Sequence, residues 1–189
     1  MAPSLLPSAH LDTFARDSLP PQDQWPDLIF TRPALRWPER LNAAHALLDG
    51  AIARGWGGRR CLVAADGTVW TYAELLERVN RIADVLVRDL GLVSGNRVLL
   101  RAPNTPMLAA SWLAVLKAGG IAVTTMPLLR AIELEKIVTK AQVRLALCDA
   151  RRCSSGSSTW SGRPRAWSSS WSAVRRASTP VRRPRTTWR

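Results

Sequence analysis

The sequence predicts an α/β fold, an incomplete doubly wound parallel sheet followed by a disordered basic tail. Three observations predict this class. A strongly capped amphipathic helix begins at Thr71. Short β-favouring apolar runs then alternate with helical patterns. This alternation stops at Asp149. Because a strand–helix–strand order needs right-handed crossovers, the strands should be parallel.

The helix at the centre of the pattern begins at a capping box formed by Thr71 and Glu74. In such a box the hydroxyl accepts from the N3 amide and the carboxylate accepts from the N-cap amide. Apolar residues then recur at spacings of three and four, which predicts one buried stripe between Tyr72 and Leu90. The run Asp66-Gly67-Thr68 before the helix predicts a tight turn and therefore a hairpin.

The elements after this helix follow the same logic. Arg97 to Arg101 is too short for a helix and β-favouring at its centre, which predicts a buried strand. Thr105-Pro106 provides an N-cap and an N1 proline for a helix that Gly119 ends. The remaining predicted elements are a strand at 121–125, a helix at 131–140 and a strand at 143–148.

The first forty residues have a different character. Residues 1–40 are rich in proline and aromatics and show no sustained period, so we expect an extended arm held by its large side chains. Asn42 then caps a short helix on an apolar stripe. We therefore expect the folded domain to comprise residues 41–150.

The tail, residues 151–189, contains ten Arg, no Lys and no acidic residue, so the net charge of residues 1–150 is only +3. From Cys153 onward there are ten Ser and four Trp but no Leu or Ile, a composition that predicts disorder. In a GC-rich gene a Leu codon CTG followed by G reads as TGG, tryptophan, one base later. We therefore interpret the tail as a frameshift product, and expect the edge of the strand at 143–148 to lack a partner.

Composition excludes several classes of protein. Cys61, Cys148 and Cys153 are odd in number and lack paired-ligand spacing, which argues against a disulfide framework and a zinc site and favours a reducing, cytoplasmic compartment. The amino terminus lacks the basic and apolar regions of a secretory signal. The apolar run 107–129 approaches transmembrane length, but Gly119-Gly120 and Pro127 divide it into a helix, a turn and a strand.

Several runs form a specific combination: Trp70-Thr71-Tyr72-Ala73-Glu74-Leu75, Gly95-Asn96-Arg97-Val98-Leu99-Leu100, Lys117-Ala118-Gly119-Gly120 and Thr124-Thr125-Met126-Pro127-Leu128-Leu129-Arg130-Ala131. This combination resembles the adenylate-forming acyl-CoA synthetases, the AMP-dependent synthetase/ligase family. The last run, together with His10-Leu11-Asp12-Thr13-Phe14 and Leu19-Pro20-Pro21, looks most like 2-aminobenzoate-CoA and benzoate-CoA ligases. The resemblance covers nearly all of residues 8–150.

The resemblance implies the N-terminal part of the large domain of an adenylate-forming enzyme. Such an enzyme uses ATP and Mg²⁺ to convert a carboxylic acid into an acyl-adenylate and then transfers the acyl group to CoA. The family's phosphate loop, aryl pocket, adenine and ribose contacts and C-terminal domain with the catalytic lysine are expected beyond residue 150. The resemblance therefore assigns no catalytic, cofactor-binding or metal-binding residue here, and we expect this chain to be inactive alone.

Other interpretations stay open. The parent enzyme could act on an aromatic acid or, alternatively, on a fatty acid. A different class is a nucleic-acid-binding protein that uses the Arg and Trp of residues 151–189 for phosphate contacts and base stacking, and nonspecific polyanion binding by this tail is expected in any case. We interpret Ser154–Thr159 as a coincidental likeness to a phosphate loop, Gly55–Gly58 as a turn, and His10 and His45 as structural.

Overall fold

The computed structural model describes residues 7–27 and 29–149, together with the backbone of residues 165–168 and 171–175. The helices are α1 (Phe14–Asp17), α2 (Gly50–Ala53), α3 (Tyr72–Asp84), α4 (Pro106–Lys117) and α5 (Ala131–Lys140). The strands are β1 (Arg60–Val63), β2 (Val69–Thr71), β3 (Arg97–Arg101), β4 (Ile121–Thr124), β5 (Leu145–Asp149), β6 (Arg165–Ser168) and β7 (Trp171–Arg175). Short 3₁₀ turns lie at Gln22–Gln24 and Pro33–Leu35, and π-helical turns at His45–Asp49 and Val85–Asp89.

The predicted parallel sheet is present, with β3 between β4 and β5. Leu99 of β3 lies opposite Val123 of β4 on one side and Ala146 of β5 on the other. Helix α4 joins β3 to β4, and α5 returns the chain across β3 to β5. Both crossovers are expected to be right-handed, and they move in opposite directions along the sheet. They therefore place their helices on opposite faces of the sheet. The doubly wound prediction is therefore confirmed.

The alternation of side chains along β3 separates two apolar clusters. Val98 and Leu100 belong to a large cluster shared with α3 and α4. Leu99 belongs to a smaller cluster that includes Val138 of α5 and Ala146 of β5. Because successive strand side chains point to opposite faces, one strand contributes to both layers of the core.

The capping box at the start of α3 is formed as predicted. The Thr71 amide donates to Glu74 Oε2 at 2.8 Å, and the Glu74 amide donates to Thr71 Oγ1 at 3.3 Å. The helix continues beyond Asp84 into a π-helical turn, in which the Leu90 amide donates to the Val85 carbonyl at 3.0 Å. The predicted end near Leu90 is confirmed, with a wider last turn than an α-helix has.

Helix α4 begins as predicted, since Thr105 Oγ1 accepts from the Leu108 amide at 3.3 Å and Pro106 occupies the first helical position. Its other end is fixed to the segment before α2, because Lys117 Nζ donates to both Asp49 oxygens, at 3.0 and 2.8 Å. The apolar run 107–129 is thus a helix, a turn and a strand. In the described part of the chain, the helices all fall short of the length and apolarity needed to cross a membrane.

Helix α5 spans residues 131–140 as predicted, but its buried stripe is narrower than the sequence suggests. Val138 is buried, whereas Ile132 is 64% exposed. The apolar strip that β3 offers on this face is short, since Arg97 and Arg101 flank Leu99. One turn of α5 is enough to cover it.

The arm differs from its prediction. The described residues between 17 and 43 are exposed, apart from the half-buried Trp25. Phe30 and Trp37 are 52% and 62% exposed, so large side chains do not hold the arm as expected. The arm contacts the sheet earlier, at residues 10–14, through polar contacts with the start of β3.

The tail also differs from its prediction where the structure describes it. Strand β7 pairs antiparallel with β5, with Cys148 opposite Ser172, and β6 pairs with β7. The edge of β5 that we expected to be open is therefore covered. An unpaired strand edge offers a row of N–H and C=O groups, so an extended segment can pair there through its backbone without Leu or Ile. The other tail residues lie outside the described part of the chain.

Candidate functional site

The carboxyl ends of β3 and β4 lie at one edge of the sheet. The parallel register places Leu100 opposite Thr124, so the loops that follow the two strands, residues 102–105 and 125–130, leave from the same edge. Ligands of open α/β sheets bind in the crevice outside the carboxyl ends of the strands. This edge is therefore the candidate site.

A pocket of about 460 Å³ lies at this edge, between the β1–β2 hairpin and the beginning of α4. Most of its wall is apolar, and the polar side-chain groups of its lining residues are an amide, two hydroxyls and an indole N–H. The lining residues are Leu62, Val63, Ala64, Ala65, Asn104, Thr105, Pro106, Leu108, Ala109, Trp112 and Thr124. These residues include no ionisable side chain. The pocket can hold an apolar or aromatic group, but its lining supplies no general acid or base.

Arg101, the last residue of β3, fixes the loop after β4. Its Nη2 donates to the carbonyls of Pro127 and Leu129, at 3.2 and 2.8 Å. The Thr125 amide donates to the Leu100 carbonyl at 3.1 Å and begins the loop. This is the run 124–131 that carries the aryl-CoA ligase resemblance, and the structure gives it a defined course at the candidate site.

The next helix begins at the same loop. The Arg130 amide donates to Glu133 Oε2 at 2.7 Å, which caps the first turn of α5. Met126 and Leu128 on the loop are 65% and 76% exposed, and Ile132 follows them on α5. An exposed apolar surface therefore lies beside the pocket.

The amino end of β3 holds a second concentration of polar contacts. Arg97 Nη1 donates to Asp12 Oδ2 at 2.5 Å and to the Gly95 carbonyl at 3.0 Å. Nε and Nη2 donate to the carbonyls of Ala141 and Gln142, at 2.9 and 3.3 Å. Arg97 is only 4% exposed, so one buried guanidinium joins the arm, the start of β3 and the loop before β5.

Asp12 is held from several directions. Asn96 Nδ2 donates to the same Asp12 oxygen at 2.7 Å, and the Phe14 amide donates to Asp12 Oδ1 at 3.1 Å. Burial opposes ionisation of this carboxyl, but the hydrogen bonds from Arg97, Phe14 and Asn96 and the charge of Arg97 outweigh it and lower its pKa. Asp12 is therefore ionised at neutral pH.

Sequence reasoning did not single out Asp12, Arg97 or Arg101. Asp12 was part of the resemblance run at 10–14, but nothing in the sequence identified its partner. The signal that could have identified the arginines is their position, because a charged residue at each end of a five-residue buried strand must find polar partners.

Other sequence candidates are placed by the structure as follows. Gly55–Gly58 forms the predicted turn before β1, where the Ala73 amide donates to the Gly57 carbonyl at 3.0 Å. His45 Nδ1 lies 3.4 Å from Asp49 Oδ2. Ser154–Thr159 lies outside the described residues. Within the described ranges, His, Cys, Asp and Glu do not gather into a group of three that could hold a metal ion.

Known proteins resemble this chain in sequence. The AMP-binding enzyme family matches residues 51–176, which is well over half of the chain. Benzoate–CoA ligase of Thauera aromatica is 32% identical over 117 residues, covering 62% of this chain and 22% of that protein. Salicyl-AMP ligase/salicyl-S-ArCP synthetase of Mycobacterium tuberculosis is 38% identical over 108 residues, covering 57% of this chain and 16% of that protein.

The fold resembles the same group of enzymes. The crystal structure of a benzoate CoA ligase from Burkholderia xenovorans LB400 superimposes with a TM-score of 0.55 and 27% identity, covering 60% of this chain and 22% of that one. The chain thus spans about a fifth of the length of these relatives. The matched residues include the capped helix α3, the parallel strands β3 to β5 and the loop held by Arg101. This chain belongs to the AMP-binding enzyme family.

Proposed function

We propose that this chain is the N-terminal portion of an AMP-dependent aryl-acid CoA ligase. The observation that carries the proposal is where the family match lies in the fold. Residues 51–176, which match the AMP-binding enzyme family, include the parallel β4-β3-β5 core, and the pocket lies at the carboxyl edge of this core. The two relatives named above act on aromatic acids, which favours an aromatic acid over a fatty acid as the substrate. The family match also favours a ligase over a nucleic-acid-binding protein.

In the intact enzyme, a carboxylate oxygen of the acid attacks the α-phosphorus of ATP and releases pyrophosphate, forming an acyl-adenylate. The CoA thiol then attacks the acyl carbon, the thiol proton is lost, and AMP leaves. Mg²⁺ offsets the phosphate charge when it is bound. The described residues provide no phosphate loop and no acidic cluster, so we assign no ATP or Mg²⁺ contact to them.

What the described residues supply to this reaction is a scaffold. Arg101 fixes the loop 126–130 at the carboxyl edge, and the apolar pocket lies beside it. The catalytic groups would come from the rest of the intact enzyme, which we place in the cytoplasm. The 189-residue chain alone should therefore not turn over.

The first experiment follows AMP release from purified chain with ATP, Mg²⁺, CoA and either benzoate or 2-aminobenzoate. We expect no release above a blank without protein. Release above the blank would contradict the proposal that the catalytic groups lie elsewhere.

The second experiment resequences the gene across codons 145–190 and expresses the continuous frame. One restored base should recover a Leu-rich continuation, and the longer protein should release AMP faster with benzoate or 2-aminobenzoate than with octanoate. Preference for octanoate would support the fatty-acyl alternative instead. An unchanged reading frame would show that the tail is native to this gene.

A further inference from the structure

We propose that the segment His10–Phe14 is a releasable strap, and that the start of β3, residues 94–97, is a socket that binds its carboxylate. The socket would take an extended segment in which an acidic residue is followed two positions later by an aromatic one. In this chain the strap fills the socket itself. The proposal does not depend on the ligase assignment.

The socket is built for a carboxylate. Among the described residues, Asp12 is the one acidic partner within ion-pair distance of the buried Arg97 guanidinium. A buried charge without a partner is costly, so an emptied socket would attract another anion. Asn96 Nδ2 donates to the same carboxylate oxygen at 2.7 Å, which fixes where that oxygen must lie.

The backbone and the aromatic ring make the socket specific for an extended segment. The Asp12 amide donates to the Ser94 carbonyl at 2.9 Å. Gly95 lies so close that a Cβ there would come within 2.1 Å of the Asp12 carbonyl oxygen. The guanidinium of Arg97 lies 4.6 Å from the centre of the Phe14 ring, within the range of a cation–π contact.

The strap is attached at few points. Leu11 is 81% exposed, and Thr13 is also exposed. The side chains of the strap that face the socket are therefore those of Asp12 and Phe14, together with the Cβ of His10 beside Gly95. The connection from the strap to Asn42 is exposed along nearly its whole described length. The strap can therefore leave without unpacking α3 or α4, and its connection to Asn42 would keep it close to the socket.

Release of the strap should affect one other loop. The guanidinium of Arg97 also binds the carbonyls of Ala141 and Gln142, so its orientation depends on Asp12 and in turn orients the turn before β5. A change confined to the strap, the socket and this turn would distinguish release from general unfolding.

The test is amide hydrogen exchange followed by mass spectrometry on the full chain. In Asp12→Ala we expect exchange about tenfold to a hundredfold faster in the strap, the socket and residues 141–143, the range that follows from losing a hydrogen bond to a charged group. Exchange in α4 should not change. Asp17→Ala is the matched control, since Asp17 lies on the same arm and its carboxylate accepts from the Thr13 hydroxyl rather than from a residue of the socket. It should leave the socket as in the parent chain.

If Asp12→Ala does not fold, Asp12→Asn replaces it, since the amide preserves the shape and removes the charge. A peptide of residues 8–15 is then added to the variant chain. Slower exchange in the socket with this peptide, and no effect of the same peptide carrying Asp12→Asn, would support the proposal. Unchanged strap exchange in the chain variant, faster exchange throughout α3 and α4, or equal effects of both peptides would each overturn it.

Discussion

On one face of β3, Val98 and Leu100 pack into the large apolar cluster with α3 and α4, whereas on the other face Leu99 lies between two arginines. Arg97 and Arg101 bind backbone carbonyls of loops and the carboxylate of the arm. The first face is thus closed by burial of apolar surface, which requires no particular partner geometry. The second is closed mainly by directed hydrogen bonds from two side chains.

The two faces of β3 present two kinds of surface. The α3–α4 face has two helices and a continuous core. The α5 face has one helix, with a narrow buried stripe, and relies on the arm and two loops to satisfy the arginines. A substitution on the first face should therefore disturb the packing of the core, whereas one on the second face should loosen the attached loops.

We expect the largest losses of stability when the leucines on the two faces of β3 are replaced by alanine. Leu100→Ala should lower the free energy of unfolding by about 3–4 kcal/mol, and Leu99→Ala by about 2 kcal/mol, because the larger cluster leaves a cavity with less room to relax. Both leucines are buried, at 1% and 3% exposure, so burial alone does not predict a difference. Urea denaturation would measure it, and equal losses would contradict the comparison.

Removal of the buried cation should have the next largest effect. Arg97→Leu should lower the free energy of unfolding by about 2–3 kcal/mol, because Asp12 and three backbone carbonyls lose their hydrogen-bond donor. Burial of the apolar leucine side chain offsets part of this loss. Arg101→Leu is the matched change at the other end of β3 and should cost about 1–2 kcal/mol, since two loop carbonyls lie near solvent and can rehydrate. Denaturant titration of both variants decides the order, and a larger loss in Arg101→Leu would refute it.

Substitution of Gly95 tests the backbone contact between the arm and the start of β3. Gly95 has φ +89° and approaches Asp12 closely, whereas Gly67 has φ +84° with open space around it. Gly67→Ala should cost about 1 kcal/mol from its left-handed backbone alone. Gly95→Ala should cost about 1 kcal/mol more and displace the strap. Thermal melting gives the energies and hydrogen exchange the displacement; similar losses with an undisturbed strap would argue against the close contact.

The smallest effect is the response to acid. The pKa of Asp12 is lowered in the folded chain, so its stabilisation is complete above the pKa of an unfolded aspartate, roughly 4, and is lost as pH falls through the folded value. The pKa of Asp49 is also lowered, because the hydrogen bond and charge of Lys117 outweigh burial. Acid should therefore remove stabilising contacts at both Asp12 and Asp49. The difference in unfolding free energy between the parent and Asp12→Asn should shrink between about pH 5 and 3. A constant difference would show that the Asp12 charge does not matter.

Local sequence signals were sufficient for most of the elements. The Thr71–Glu74 box, the Thr105-Pro106 start and the turn at Asp66–Thr68 all appear as predicted, because each is decided by contacts within a few residues. The order of strands and helices then fixed a parallel sheet, since connections of this length permit few topologies. Of these three signals, the Thr71–Glu74 box also belongs to the runs that carry the family resemblance.

Three features depended on contacts between distant parts of the chain. Asp12 and Arg97 lie 85 positions apart, so no local pattern could pair them. Ile132 fits a helical stripe as well as Val138 does, but only Val138 meets the apolar strip on the sheet. The pairing of β7 with β5 followed from an available strand edge rather than from tail composition. The elements between residues 60 and 149 and their order could be predicted from the sequence, because they depend on short-range hydrogen bonds and periodicity. The partners of buried charges and strand edges were decided only by tertiary structure, because they depend on which groups remain unsatisfied after the chain has packed.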